Sequence, residues 1–205
     1  MTDVEDAGSK LYRISRRTFI KGVIAAGAVS WAGYMHKPGI AWASAGSVER
    51  LITLNVNGQQ RHVDVMRQET LAETLRNKLG LTGTKIGCDR AECGACTVLI
   101  DDIPQYSCSI LTHSVKGKKI MTIEGLTGAN GKLHPLQQGV IDAQGFQCGY
   151  CTPGFLMAAA GFLKTNPNPT RVELAQGVSG NICRCQDYER ILDALMRGAQ
   201  YLREA

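Results

Sequence analysis

No stretch of the 205-residue sequence approaches the roughly 20 consecutive apolar residues that a membrane-spanning helix needs. The longest run, Val23 to Gly33, is short and is broken by Gly27 and Ser30. An integral membrane protein with no other anchor is therefore not expected, and no transmembrane segment is assigned. Long basic runs are also missing, the densest being Lys116-Gly117-Lys118-Lys119, and after residue 45 seventeen Lys or Arg face fifteen Asp or Glu. That balance leaves no electrostatic footprint for nucleic acid. The sequence has no Gly-rich dinucleotide or phosphate loop and no nucleophile set beside a base, so substrate chemistry is not expected on this chain. Cysteine is absent before Cys88 and after Cys185, yet eight cysteines lie between these bounds. With 44% hydrophobic and 20% charged residues, the chain has the means to fold as one ordinary domain or two small ones.

Residues 1–45 stand apart. They carry six Lys or Arg against three Asp or Glu, and Ser15-Arg16-Arg17-Thr18-Phe19-Ile20-Lys21 places paired arginines before a mildly apolar stretch, Pro38 and the small residues Ala41 to Ala45. This is the pattern of a bacterial twin-arginine export signal, with cleavage expected after Ala43 or Ala45 and a periplasmic destination. The alternative is a basic amphipathic helix lying on a membrane surface, which would leave the small-residue pattern without a reason.

The remainder reads as two halves. Over residues 46–124, Leu51 to Val56 and Gln59 to Val65 alternate in polarity about Asn57-Gly58, which predicts a hairpin. Thr70-Leu71-Ala72-Glu73 is a capping box opening a helix through Leu71, Leu75 and Leu79 that should stop at Gly80. Thr97 to Ile100, followed by the turn residues Asp101-Asp102, and Lys119 to Ile123 supply further strands. Residues 125–133 lack periodicity and read as a linker. Residues 134–205 read as four short helices: one opening at Pro135 and ending near Gly145, one opening at Pro153, one capped by Thr170 and closing at Gly180, and one capped by Asp187.

Cys88, Cys93, Cys96 and Cys108 have the spacing C-x4-C-x2-C plus a fourth cysteine beyond a hairpin, the plant-type ligand arrangement for a [2Fe–2S] cluster. Gly87 and Gly94 allow backbone amides to approach cluster sulfides, while Asp89 and Glu92 should point outward. Lys85 and Arg90 read as solvated surface residues or as counter-charges. Cys148 and Cys151, paired with Cys183 and Cys185, place two cysteine pairs at helix starts, where free amides and the helix dipole favour thiolates. Zinc or disulfides are alternatives, more open for the second set than for the first. His36, His62, His113 and His134 are scattered singly and read as surface or packing residues, not as ligands of a Rieske centre.

Three motifs carry a resemblance. They are Gly87-Cys88-Asp89-Arg90-Ala91-Glu92-Cys93-Gly94-Ala95-Cys96-Thr97-Val98, Gly145-Phe146-Gln147-Cys148-Gly149-Tyr150-Cys151-Thr152-Pro153-Gly154 and Ser179-Gly180-Asn181-Ile182-Cys183-Arg184-Cys185. From about Leu51 onward the sequence resembles the small iron–sulfur subunit of the xanthine oxidase family of molybdenum hydroxylases. The resemblance implies an α+β protein, with an N-terminal β-grasp plant-type ferredoxin-like domain followed by a four-helix-bundle domain, each binding one [2Fe–2S] cluster. It implies a large partner subunit with a molybdopterin cofactor, next to which the second cluster lies, and a FAD-binding subunit or a cytochrome c as further acceptor. Gln147 through its amide and Cys185 through its sulfur would contact the pterin; helix-end capping is the plainer reading of Gln147. Arg184 would balance charge or fix its loop.

One departure is visible, since Gln186-Asp187-Tyr188 stand where family members commonly have Thr-Gly-Tyr. The export signal resembles that of periplasmic aldehyde oxidoreductases, whose folded export suits a metal cofactor inserted in the cytoplasm. Oxidation of aldehydes to carboxylic acids is thus the expected reaction of the whole complex. Hydroxylation of an N-heterocycle is the alternative, and a secreted zinc-binding or disulfide-stabilised module the alternative of a different class.

Overall fold

The structure is a computed structural model, and it describes residues 15–35, 49–128 and 131–204. The chain divides into two compact units, Met1–Ser47 and Val48–Ala205. The first contains one helix, α1 (Arg16–Met35), which opens with the Ser15 hydroxyl accepting from the Thr18 amide. Side chains 15–27 are exposed. Ala43, Ala45 and His36 lie outside the described residues. Among the described residues no helix is long and apolar enough to cross a membrane.

The second unit begins with the expected hairpin, β1 (Leu51–Val56) and β2 (Gln59–Asp64), paired from Leu51↔Asp64 to Val56↔Gln59. Asn57 and Gly58 both take the left-handed backbone that a two-residue turn requires. With β3 (Thr97–Ile100), β4 (Ile103–Tyr106) and β5 (Lys119–Met121) they form one mixed sheet in the order β2-β1-β5-β3-β4. β1 and β5 run parallel and the other neighbours antiparallel. The strand β4 is missing from the sequence reading because Pro104 interrupts its pattern. Its place at the sheet edge is where a residue without a backbone N–H is tolerated.

Thr70 closes its capping box with Glu73 as expected. The helix α2 (Leu71–Glu73) then widens into a π-turn over Thr74–Lys78 and ends before Gly80. Thr74 is fully buried, its hydroxyl bonded to Glu69 and to Thr112. Leu71 and Leu75 join Ile52, Leu54, Val56, Val98 and Ile120 in a core between helix and sheet.

The helices α3 (Ile123–Leu126), α4 (Pro135–Asp142), α5 (Thr152–Thr165), α6 (Arg171–Gly177) and α7 (Tyr188–Glu204) complete the unit. The segment read as a linker from residue 125 opens inside α3, because the Glu124 carboxylate holds the Gly83 amide and the Thr122 hydroxyl; residues 129–130 lie outside the described set. Ile123 accordingly leaves β5 for that helix. α4 ends at Asp142 and α6 at Gly177, each three residues short of the expected glycine. His134 caps α4, its Nδ1 accepting from the Leu136 amide while Gln137 Oε1 accepts from the His134 amide. Asp187 does not cap α7 through its side chain. Its backbone carbonyl takes the Ile191 amide, while the carboxylate turns toward Arg190 at 3.7 Å, leaving Oδ2 buried without a partner.

β3 joins the two halves. All four of its residues are buried, with Val98 and Ile100 in the sheet–α2 core and Leu99 in a second core with Phe155, Met157, Leu163, Leu174 and Leu195. Helix α5 lies so close across β3 and β4 that a Cβ on Gly161 would fall 3.0 Å from Leu99 and 2.3 Å from Pro104. β3 therefore serves as an inner wall for both cores.

Glu69 supplies a pH-dependent part of this stability. Burial opposes its charge, but Lys78, the Met66 amide and the Thr74 hydroxyl together hold its carboxyl below the ordinary value. Glu69→Gln should lower stability by about 1–3 kcal/mol. Because the folded-state pKa is the lower one, this contribution is complete above the unfolded value and is lost only as the pH falls through the folded value. Thermal unfolding midpoints of the two proteins should therefore stay equally far apart from about pH 7 to about pH 5; a gap that shrinks across that range contradicts the assignment.

Candidate metal centres

Cys88, Cys93 and Cys96 of the first set occupy the loop between the π-turn and β3. Asp89, Ala91 and Gly94 all have positive φ there, at 55°, 59° and 67°. For Ala91 this conformation costs about 1–2 kcal/mol. What it achieves is a curl whose amides face sulfur: Cys88 N–H donates to Cys93 Sγ, Glu92 N–H and Cys93 N–H to Cys88 Sγ, and Ala91 N–H to Cys108 Sγ, each at 3.4 Å. Cys108 arrives through the β3–β4 hairpin, whose Thr97↔Tyr106 register sets Ser107 against the Cys96 carbonyl. A Cβ on Gly87 would lie 2.9 Å from Cys93 Sγ, so that position must remain bare for the sulfur. Asp89 and Glu92 are exposed, as expected.

The second set joins two loops. Cys151 stands at the N-terminus of α5 with Cys148 just before it, and Cys183 and Cys185 precede α7. Gln186, at φ 61°, turns the chain after Cys185, and the Cys183 amide donates to the Tyr188 hydroxyl, whose ring meets Phe155 edge-on. Tyr188, the position of the three that keeps the common residue, thus bonds the ligand loop through its side chain, while the departing Gln186 meets it through its amide, on the Cys183 carbonyl.

All eight cysteines are free thiols, and their side chains meet two by two: Cys88 with Cys93, Cys96 with Cys108, Cys151 with Cys183, and Cys148 with Cys185. Each centre therefore has an open pair and a more buried pair. The Glu92 amide above all lowers the Cys88 thiol to about 7, whereas burial pushes Cys96 up to about 12. Likewise the Tyr150 amide lowers Cys148, and burial pushes Cys151 up to about 12. A two-iron cluster asks for two thiolates on each iron, and the paired thiols at both centres offer that division. The donor chemistry and the amides turned toward sulfur fit a [2Fe–2S] group twice over.

Gln147 is exposed beside Cys148, and its amide makes no hydrogen bond within the described residues, so it does not act as a helix cap. Arg184 is exposed and likewise does not tie down its loop. Arg90 does hold its loop, by donating to the Cys88 carbonyl, while Lys85 bonds the Thr82 carbonyl. The sequence reading missed two positioning residues. Arg76, on the π-turn, donates to the Thr82 and Thr84 carbonyls at the start of the first loop. Asn181 donates to the Gly94 carbonyl, next to a bond from the Ile182 amide to the Cys93 carbonyl, so the two cysteine loops touch backbone to backbone. A Cβ on Gly154 would come within 2.3 Å of the Gly94 oxygen in the same contact. Neither Arg76 nor Asn181 follows a local pattern; each bonds across a turn or between distant segments.

Comparison with known proteins agrees with this geometry. The 2Fe-2S iron-sulfur cluster binding domain family matches residues 54–119, and the [2Fe-2S] binding domain family matches residues 122–196. The nicotine 6-hydroxylase small subunit of Paenarthrobacter nicotinovorans is 45% identical over 145 residues, covering 71% of this chain and 87% of its own. The aldehyde oxidoreductase iron-sulfur-binding subunit PaoA of Escherichia coli is 40% identical over 200 residues, covering 89% of this chain and 86% of its own. The chain belongs to the small iron–sulfur subunits of the xanthine oxidase family of molybdenum hydroxylases. It is a non-catalytic electron-transfer subunit of an oxidoreductase, built on two [2Fe–2S]-binding domains. Among solved structures, the aldehyde oxidoreductase of Desulfovibrio desulfuricans superposes with a TM-score of 0.72 at 39% identity, over 76% of this subunit and 17% of that chain. In that enzyme the counterpart of this subunit is one segment of a much longer polypeptide.

If the eight cysteines divide into two independent centres, Cys108→Ser and Cys151→Ser should each lower bound iron from about four to about two atoms per chain. Iron analysis checks this; full retention in either variant, or complete loss in both, contradicts the assignment.

Proposed function

We propose that this subunit takes electrons from a molybdopterin centre on a large partner subunit at Cys148, Cys151, Cys183 and Cys185, and passes them onward at Cys88, Cys93, Cys96 and Cys108. The observation that carries the reading is the backbone contact between the two cysteine loops, because it brings the two cysteine sets next to each other within one compact unit. When bound, each [2Fe–2S] cluster supplies a one-electron site. The chain's own part is to offer thiolates in pairs, to face them with amides and to exclude water from Cys96, Cys108 and Cys183.

The finer architecture belongs to the same proposal: a β-grasp ferredoxin-like domain over 46–124 and a four-helix domain over 134–205. The mixed sheet around α2 and the four helices α4 to α7 support it.

The partner-facing surface is assigned to the second centre. Gln147, Phe146, Tyr150 and Ile182 are exposed around the open Cys148–Cys185 pair, an apolar rim with a free amide. Gln147 and Cys185 are proposed as the pterin contacts. A fusion supports the pairing of subunits, since the Desulfovibrio enzyme carries the corresponding segment as 17% of a single chain.

Aldehyde oxidation in the periplasm, after export by the twin-arginine route, is the reading we favour for the whole complex. The match to the Escherichia coli aldehyde oxidoreductase subunit covers 89% of this chain, more than residues 48–205 make up, so it extends to residues before 48. The higher identity to the nicotine 6-hydroxylase subunit favours N-heterocycle hydroxylation as the second reading. A FAD-binding subunit or a cytochrome c is proposed as the onward acceptor.

Two experiments test these assignments. In the natively purified complex, Gln147→Ala should leave iron content and unfolding midpoint unchanged but slow cluster reduction by substrate about 5–10-fold, the worth of one hydrogen bond; an unchanged rate sinks the pterin contact. Replacing Arg16 and Arg17 together by Lys should keep the folded, iron-loaded chain in the cytoplasmic fraction, and undiminished export would remove the twin-arginine assignment.

A further inference from the structure

Two tyrosine hydroxyls span the two centres in opposite directions. Tyr106 lies two residues before Cys108 and packs against the buried pair Cys96 and Cys108, yet its hydroxyl donates to the Gly180 carbonyl at 2.9 Å, on the strand of chain that leads into Cys183. Tyr150 lies between Cys148 and Cys151, and its hydroxyl donates to the Ile86 carbonyl at 2.8 Å, two residues before Cys88. Ile86 in turn packs against Cys96 and Cys108. Each phenol thus belongs to one centre and grips the backbone that feeds the other.

We propose that Tyr106 and Tyr150 are positioning residues that fix the separation of the two iron–sulfur centres. The inference rests on the proposed occupancy of both cysteine sets. It goes beyond that reading by assigning the geometry of the relay to two side chains that are not ligands.

Three features support it. The Asn181–Gly94 and Ile182–Cys93 bonds join the loops through one short stretch of backbone, and the tyrosines add bonds at two other places, residues 106 to 180 and 86 to 150. Gly180 leaves room only for the phenol, since a Cβ there would fall 2.0 Å from Tyr106 Oη. Tyr150 is about half exposed, so burial of its ring does not account for its orientation; its ordered contact is the bond to Ile86. Without these hydroxyls the loops can separate or shear while each centre keeps its own ligands, and both electron exchange and spin coupling fall steeply with distance.

The test uses the complex loaded in vivo and purified natively, with Tyr106→Phe, Tyr150→Phe, the double variant, and Tyr201→Phe as control. Tyr201 loses a comparable hydroxyl bond, to Asp142, and neither residue bonds a cysteine or a cysteine loop. Iron and sulfide are counted first, which separates failure of the cluster reading from failure of this one. In the wild-type protein with both centres reduced, spin coupling should split the low-temperature EPR signals. The splitting should shrink in each single variant and most in the double, with a severalfold slower equilibration of electrons between the centres, while Tyr201→Phe matches wild type. Unchanged splitting and rate in the fully loaded double variant would overturn the proposal. So would loss of iron from the Tyr106 and Tyr150 variants with none from Tyr201→Phe, which would make these tyrosines necessary for cluster retention and not for spacing.

Discussion

A thiolate held beside a second thiolate is stable only where hydrogen-bond donors face both, and in this chain those donors are mainly backbone amides. Side chains could not do the same work, because cationic groups close enough to neutralise sulfur would also occupy the space that a cluster needs. The first loop therefore accepts left-handed backbone at Asp89 and Ala91, two residues that adopt it at a cost, so that the amides of Cys88, Ala91, Glu92 and Cys93 turn inward. At the second centre the donors are again loop amides, Tyr150 to Cys148 and Cys148 to Cys185, just before α5 begins. Loop backbone meets the same electrostatic demand at both centres.

The rest of the fold holds those loops still. The β3–β4 hairpin brings Cys108 to Cys96, and β3 is also the wall on which α5 lies, so the helix that begins at Cys151 is registered against the strand that begins just after Cys96. A displacement of α5 on β3 would move one centre relative to the other. The glycines at 94 and 154 let backbone approach backbone at the junction, where any side chain would force the loops apart. An electron-transfer subunit needs little else: thiols in pairs, water kept from the inner pair, and a fixed distance between centres.

Much of this was legible in the sequence because it is local. The Asn57-Gly58 turn, the capping boxes at Thr70 and Thr170 and the cysteine spacing are each written within a few residues, and each appears in the structure. What escaped was decided by partners distant along the chain. β4 is held by β3 despite Pro104; α3 exists because Glu124 reaches back to Gly83; the Asp187 carboxylate is drawn toward Arg190 and does not cap α7. Asn181 and Tyr150 stand inside the cysteine motifs and Arg76 and Tyr106 outside them, yet for all four the role lies in which carbonyl the side chain meets.

Iron and acid-labile sulfide, counted per copy of this chain in the natively purified complex and read together with the EPR spectrum after reduction, test the central claim most directly. About four irons and four sulfides, with two distinct reduced-cluster signals, are predicted. Zinc, or intact disulfides without iron, in protein shown to have lost no cofactor during preparation would contradict it.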